Sequence, residues 1–390
     1  MTTFVPTSEE DPVLAVVRFT SELAWADAGP EVAEPQVTRL CVEAHECMVM
    51  SRWVDLASLM LTSAELIASR VSEKDFECIF AVICTLAART SIPEEAFEIA
   101  KLISTKIIQQ PNDKPSLRLK MLFNLYNLLE IPDGRFFIYT KALVLAAGGK
   151  VTESIIPSFK MIDTFLQEWG IGKEEQRELF LAISNILKET KSMGKESFVF
   201  LSKYLATFSA EEAYSMNEAK EEAVRAIIEF VKYPDMFQSD LLDTPAIAQL
   251  EKDGKYALVY QLLKIFLTSR LDAYLDFQAA NSNLLKSYGL VHEDCISKMR
   301  LMSLIDLSCN ESGEIPYSQI KETLRITDDE IEYWVVKAIM SKLLDCKMDQ
   351  MNQIVIVSRH AERVFGPSHW QALRTKLEFW RVSFLTDSAD

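Results

Sequence analysis

Glycine is scarce in this chain: 11 glycines and 13 prolines in 390 residues supply too little turn chemistry for a protein made of many tight hairpins. Histidine is rarer, at 4. No Gly-x-Ser-x-Gly, His-Glu-x-x-His or Gly-x-Gly-x-x-Gly pattern occurs, so a nucleophile elbow, a zincin site and a dinucleotide fold have no support. No apolar run approaches the roughly 18 residues of a membrane span; the longest, residues 79–88, reads as a buried helix segment. The seven cysteines (41, 47, 78, 84, 295, 309 and 346) are scattered singly, which suits buried, reduced thiols and implies no disulfide framework. An excess of positive charge is missing too. With 41 Lys and Arg against 57 Asp and Glu the net charge is −16, the wrong sign for coating nucleic acid. The first eleven residues are polar and acidic, with neither the basic start nor the apolar stretch of a secretory signal, so a cytoplasmic location is expected.

What is present is helical. Hydrophobic residues make up 49% of the chain and charged residues 25%, an ordinary globular balance. Apolar segments of helical length are separated by breaks at Gly29 and Pro30, Pro93, Pro111 to Pro115, Pro132 to Gly134, Gly148 and Gly149, Gly170 to Gly172, Gly194 and Pro234, as paired helices require. In residues 117–130, Met121, Leu125, Leu128 and Leu129 share a stripe that excludes Lys120, Asn124 and Asn127; Val259, Leu262, Leu263 and Phe266 repeat the pattern in residues 256–271. A dozen such helices in series pack most economically as stacked hairpins, a degenerate helical-repeat array with a long outer surface for partners.

The pattern changes near residue 298. An amphipathic helix carrying Met299, Met302, Ile305 and Cys309 is expected over 298–309, then an extended piece at 314–316 and a helix over 317–325. Thr327, Asp328, Asp329 and Glu330 form a capping box that opens a helix with Ile331, Val335, Ala338 and Ile339 on one face. The period then falls to two: Leu344, Cys346 and Met348 alternate with Asp345, Lys347 and Asp349, and Ile354, Val355, Ile356 and Val357 form a β-branched run after a polar turn. Helix, strand, helix, helix and hairpin in that order make a winged helix. Apolar residues on both faces of 354–357 suit a strand buried on two sides, or an edge that pairs with a neighbour; burial within the hairpin alone explains the run equally well.

Few residues invite a chemical reading. Cys41, His45 and Cys47 are close, but no second Cys/His pair follows at zinc-finger spacing, so they read as core residues of a helix. Gly148, Gly149 and Lys150 lack the first glycine and the Ser or Thr of a phosphate loop and read as a helix-ending turn. No catalytic residue, cofactor, metal or small-molecule substrate is expected. The winged helix suggests nucleic acid, yet Asp328, Asp329, Glu330 and Glu332 put carboxylates where phosphates would lie.

The C-terminal segment carries the clearest physics. Trp370, Leu373, Leu377, Trp380 and Phe384 recur at steps of 3, 4, 3 and 4, a two-turn heptad seam. Each gains roughly 1.5–3 kcal/mol on full burial, so a cover is expected: either the chain's own winged helix or a multi-subunit bundle. Arg374, Lys376 and Arg381 flank the seam and suit an acidic partner or simple solvation.

Two stretches resemble the PCI family, named for the proteasome lid, the signalosome and eukaryotic translation initiation factor 3. In residues 234–250, Pro234, Phe237, Leu241 and Leu242 match the family's proline, aromatic residue and leucine pair ahead of a helix. In residues 343–350, Lys347, Met348, Asp349 and Gln350 resemble its wing, with Met348 where Ile or Val is frequent, a nearly volume-conserving change. The resemblance implies an all-α fold: a right-handed helical-repeat superhelix, a winged-helix subdomain with a small β-hairpin, and a C-terminal helix. The expected divisions are an acidic leader at 1–12, repeats over 13–297 with the PCI domain starting near 200, a winged helix over 298–358, and a docking helix and tail over 359–390. Within the family, the length, the leader and Arg135 to Leu143 are most similar to members from the initiation factor. That implies a non-catalytic scaffold acting in preinitiation-complex assembly and mRNA recruitment. Its partners would be other PCI-domain and MPN-domain subunits, and the small ribosomal subunit through the complex, with at most weak direct RNA contact and no membrane. The alternatives are a subunit of the proteasome lid or signalosome, and a nucleic-acid-binding winged-helix adaptor.

Overall fold

The computed structural model describes residues 11–190, 192–209, 217–309 and 313–364, and 370–381 except 372 and 376. By contacts the chain divides into two compact units, Met1–Ser197 and Phe198–Asp390.

In the first unit several helices begin at a local start signal in the sequence. Pro12–Ala24, Pro30–Val49, Pro93–Ile108, Pro115–Leu128 and Pro132–Gly148 all carry proline in their first turn, where the missing N–H has no helical partner to lose. The Glu73–Arg89 helix starts at Ser72, whose Oγ accepts from Asp75 N–H at 3.2 Å. The packing is that of helical hairpins: Glu73–Arg89 lies against Pro93–Ile108 and Pro115–Leu128, and Pro132–Gly148 against both Pro93–Ile108 and Pro115–Leu128. Next-neighbour and next-but-one contacts of this kind are how repeats bury faces that no single pair covers. Met121, Leu125 and Leu129 are buried; in the apolar run 79–88 the helix buries Ile79, Phe80, Ile83, Cys84, Leu86 and Ala87, while Ala88 is exposed.

The second unit continues with helices Lys220–Lys232, Ala257–Thr268 and Leu271–Ser287; Val259, Leu262, Leu263 and Phe266 are all buried. The next helix runs His292–Ser308, six residues longer at its start than the sequence pattern predicts. The expected division at 297/298 therefore falls inside a helix. Its periodicity is hidden because apolar and polar residues alike are enclosed, Lys298 and Ser303 among them.

After this come β1 (Glu314–Pro316), helices Tyr317–Leu324 and Ile331–Met340, β2 (Leu344–Asp349) and β3 (Ile354–His360). The sheet is antiparallel with order β1-β3-β2, the arrangement of a winged helix. Thr327 N–H donates to Glu330 Oε2 at 3.0 Å ahead of the second helix, and its buried face is Ile331, Trp334, Val335 and Ala338.

The cysteines depart from expectation. All seven are free, but only Cys47, Cys84 and Cys295 are buried; Cys41 and Cys346 are half-buried, and Cys78 and Cys309 are exposed. Single cysteines in helical patterns do not report which face they occupy until the helix is packed. His45 is exposed on the same helix as Cys41 and Cys47, so only Cys47 of that trio is core.

Candidate protein-docking surfaces

Strand β3 is central, and this decides what residues 354–357 can do. Val355 stands between Ile315 of β1 and Met348 of β2, whereas Ile356 stands between Glu314 and Lys347. Val355 is fully buried and Ile356 is 39% exposed. The strand is thus neither buried on two sides nor an edge: its backbone is paired on both flanks, one face packs on the helices and the other meets solvent. The alternation of period two lets Ile354 and Ile356 share the outer face and Val355 and Val357 the inner one. The free backbone edges belong to β1 and β2.

A second apolar surface lies on the helix that other winged helices use for reading bases. Tyr333, Val336 and Met340 are 59%, 42% and 79% exposed at spacings of three and four, one stripe of the helix. Sequence reasoning missed it by following the opposite stripe. The acidic turn before it is engaged locally: Lys321 pairs with Asp328 at 2.7 Å, and Gln350 Nε2 donates to Glu332 at 2.7 Å. Hydrogen bonds from Thr327 hold the Glu330 carboxyl below its ordinary range, so it stays ionised and repels phosphate. Lys337, the nearest cation on the helix, donates to Ser297 Oγ at 2.8 Å and lies over the Trp334 ring.

The C-terminal seam is the third surface. Trp370, Leu373, Leu377 and Trp380 all lie in helical backbone and are exposed, and Phe379 is 69% exposed; Phe384 lies outside the described residues. Arg374 is held by Glu378 at 3.0 Å, one turn away. Of the two covers expected for the seam, the chain's own winged helix does not bury these four side chains. The segment leading to them is anchored. Arg363, 5% exposed, donates to Ser269 O at 2.8 Å and to Asp306 at 3.0 Å.

The first unit adds a groove of about 360 Å³ between Pro132–Gly148 and Lys173–Glu189, floored by Leu143, Leu179 and Ile186 and walled by Phe136 and Val144, with Glu178 and Glu189 on its rim. No sequence signal marked it, because a groove belongs to two helices at once.

Comparison with known proteins agrees with this architecture. Residues 271–359 match the PCI domain model. This span includes the 343–350 stretch that carried the resemblance, while the 234–250 stretch lies ahead of it. The chain is 37% identical over 316 residues to eukaryotic translation initiation factor 3 subunit M of Dictyostelium discoideum, covering 80% of this chain and 77% of that protein. It is 29% identical over 301 residues to the Nematostella vectensis subunit M, covering 76% and 77%, and 27% identical over 330 residues to the Homo sapiens subunit M, covering 84% and 85%. With identity sustained across repeats and winged helix together, the chain belongs to the family of eukaryotic translation initiation factor 3 subunit M.

Proposed function

We propose that this chain is a non-catalytic scaffold subunit of the eukaryotic translation initiation factor 3 complex in the cytoplasm. It would act in preinitiation-complex assembly and mRNA recruitment through contacts with other PCI-domain and MPN-domain subunits, reaching the small ribosomal subunit through the complex. The observation that carries this reading is the exposed heptad seam of Trp370, Leu373, Leu377 and Trp380 in a chain related to subunit M over four-fifths of its length. Four large apolar side chains in one stripe are costly to leave in water, and a heptad spacing fits a helical bundle. The outer face of β3 at Ile356 and the stripe of Tyr333, Val336 and Met340 give the winged helix its own contact surface; a neighbouring strand would add at β1 or β2. The compact unit that starts at Phe198 favours extending the PCI domain upstream to about residue 200.

The test is a tagged pull-down from cytosol at low salt, with mass spectrometry of what copurifies, comparing the full chain with one ending at Phe365. Initiation-factor subunits recovered with the full chain and lost on truncation are the expected result. Recovery of proteasome-lid or signalosome subunits instead, or of no stable partner, would overturn it. A nucleic-acid adaptor would show binding that weakens steeply with salt.

A further inference from the structure

Side chains from two stretches distant in sequence meet just ahead of the C-terminal segment. Cys309 closes the His292–Ser308 helix, His360 ends β3, and Glu362 follows two residues later. Cys309 Sγ lies 3.8 Å from His360 Nδ1, and His360 Nδ1 lies 3.7 Å from Glu362 Oε1; the three atoms fall within 4.8 Å of one another. Around tetrahedral zinc, bond lengths of about 2.0–2.3 Å set neighbouring ligand atoms about 3.3–3.6 Å apart. The sulfur–nitrogen and nitrogen–oxygen separations reach that geometry with a few tenths of an ångström of closure each. One sulfur, one imidazole nitrogen and one carboxylate oxygen suit borderline zinc(II), not the hard cations that take oxygen alone.

The electrostatic balance also fits. A thiolate and a carboxylate together cancel the charge of a dication, and the flanking Asp306 is already matched by Arg363 at 3.0 Å and Arg270 at 3.8 Å. Cys309 is exposed and the other two are half-buried, so water can reach a fourth position. We propose that Cys309, His360 and Glu362 form a zinc(II) site, completed by water, that fastens the segment after β3 to the end of the His292–Ser308 helix. Coordination of the Cys309 thiol breaks its S–H bond, forms S–Zn and releases the proton to solvent without any redox change. The site stands eight residues before Trp370, so zinc would restrain the backbone from which the apolar seam departs.

The experiment uses the full chain, stripped with a chelator and titrated with zinc against a chromophoric competitor, and separately with cobalt(II). One tight equivalent is expected, with a thiolate-to-cobalt charge-transfer band. Cys309→Ser and His360→Gln should each weaken binding by at least about tenfold, whereas Cys78→Ser, at an exposed cysteine elsewhere, should not. Zinc should also slow amide exchange over residues 359–364 in the wild type and not in Cys309→Ser. Circular dichroism checks each variant, and Glu362→Gln replaces His360→Gln if that one fails to fold. Zinc bound as tightly by Cys309→Ser as by the wild type, an adventitious ion only, or no zinc above background, would overturn the proposal.

Discussion

Lys298 is 2% exposed and donates to the carbonyls of Phe230 and of Tyr233, the latter at 2.9 Å, with the Phe230 ring against its ammonium. Burial lowers its pKa from 10.5 to about 7. The unfolded chain therefore binds more protons than the folded one between about pH 7 and 10.5, so stability rises with pH in that window and is lost as pH falls toward 7. Buried Cys84 works in the opposite direction: burial pushes its thiol up to about 12, and that contribution is lost as pH rises above about 9. Between pH 7 and 8.5 the lysine should dominate. The denaturant midpoint should increase over that range, and Lys298→Met should flatten the slope. Gly149 makes a second prediction. A Cβ there would stand 2.6 Å from Pro115 Cβ and 2.7 Å from Pro111 O, so Gly149→Ala must displace backbone and should cost about 1–3 kcal/mol of unfolding free energy. At Gly148 the nearest atom would be 3.5 Å away, and Gly148→Ala should be near neutral by the same chemical denaturation.

At the scale of elements, Arg363 ties the segment after β3 down through the Ser269 carbonyl and Asp306. Arg363→Ala leaves Asp306 half-enclosed with Arg270 at 3.8 Å as its remaining ion pair among the described residues, and should cost roughly 3 kcal/mol, measured by thermal or denaturant unfolding of the full chain. The exposed stripe of the Ile331–Met340 helix predicts the opposite behaviour. Tyr333→Ser with Val336→Ser removes apolar surface that touches solvent, so stability should change by no more than about 0.5 kcal/mol per site while recovery of partner subunits falls. Most elements were legible because their signals are local: prolines that open helices, stripes at a 3.6-residue period, and the switch to period two at Leu344. The start at His292 was not, because the first turn is polar and exposed at Glu293 and Asp294 and the buried positions that follow include Lys298 and Ser303, so no apolar stripe marks where the helix begins.

For the whole molecule, the seam separates stability from assembly. None of Trp370, Leu373, Leu377 and Trp380 is buried, so replacing the four with polar residues should leave the far-ultraviolet helical signal and the denaturant midpoint unchanged while partners are lost from the pull-down. A cooperative loss of structure in the same variant would mean that the seam packs internally. The docking surfaces were only partly legible. The heptad spacing marked the seam, but the run of Ile354 to Val357 marked a strand without its place in the sheet, and the groove between Pro132–Gly148 and Lys173–Glu189 left no trace.

Composition, charge and periodicity are properties of neighbouring residues, and they were enough to establish a helical array, a winged helix and a terminal amphipathic helix without catalytic chemistry expected of any. Tertiary structure decided everything that depends on which surface covers which. It made β3 the middle strand, because β1 returns from ahead of two helices to pair with it. It enclosed Lys298, because two carbonyls some 65 residues away in sequence point at its ammonium. It also brought Cys309, His360 and Glu362 together across 51 residues, a proximity set by the register of an antiparallel sheet against a helix end and encoded in no local pattern.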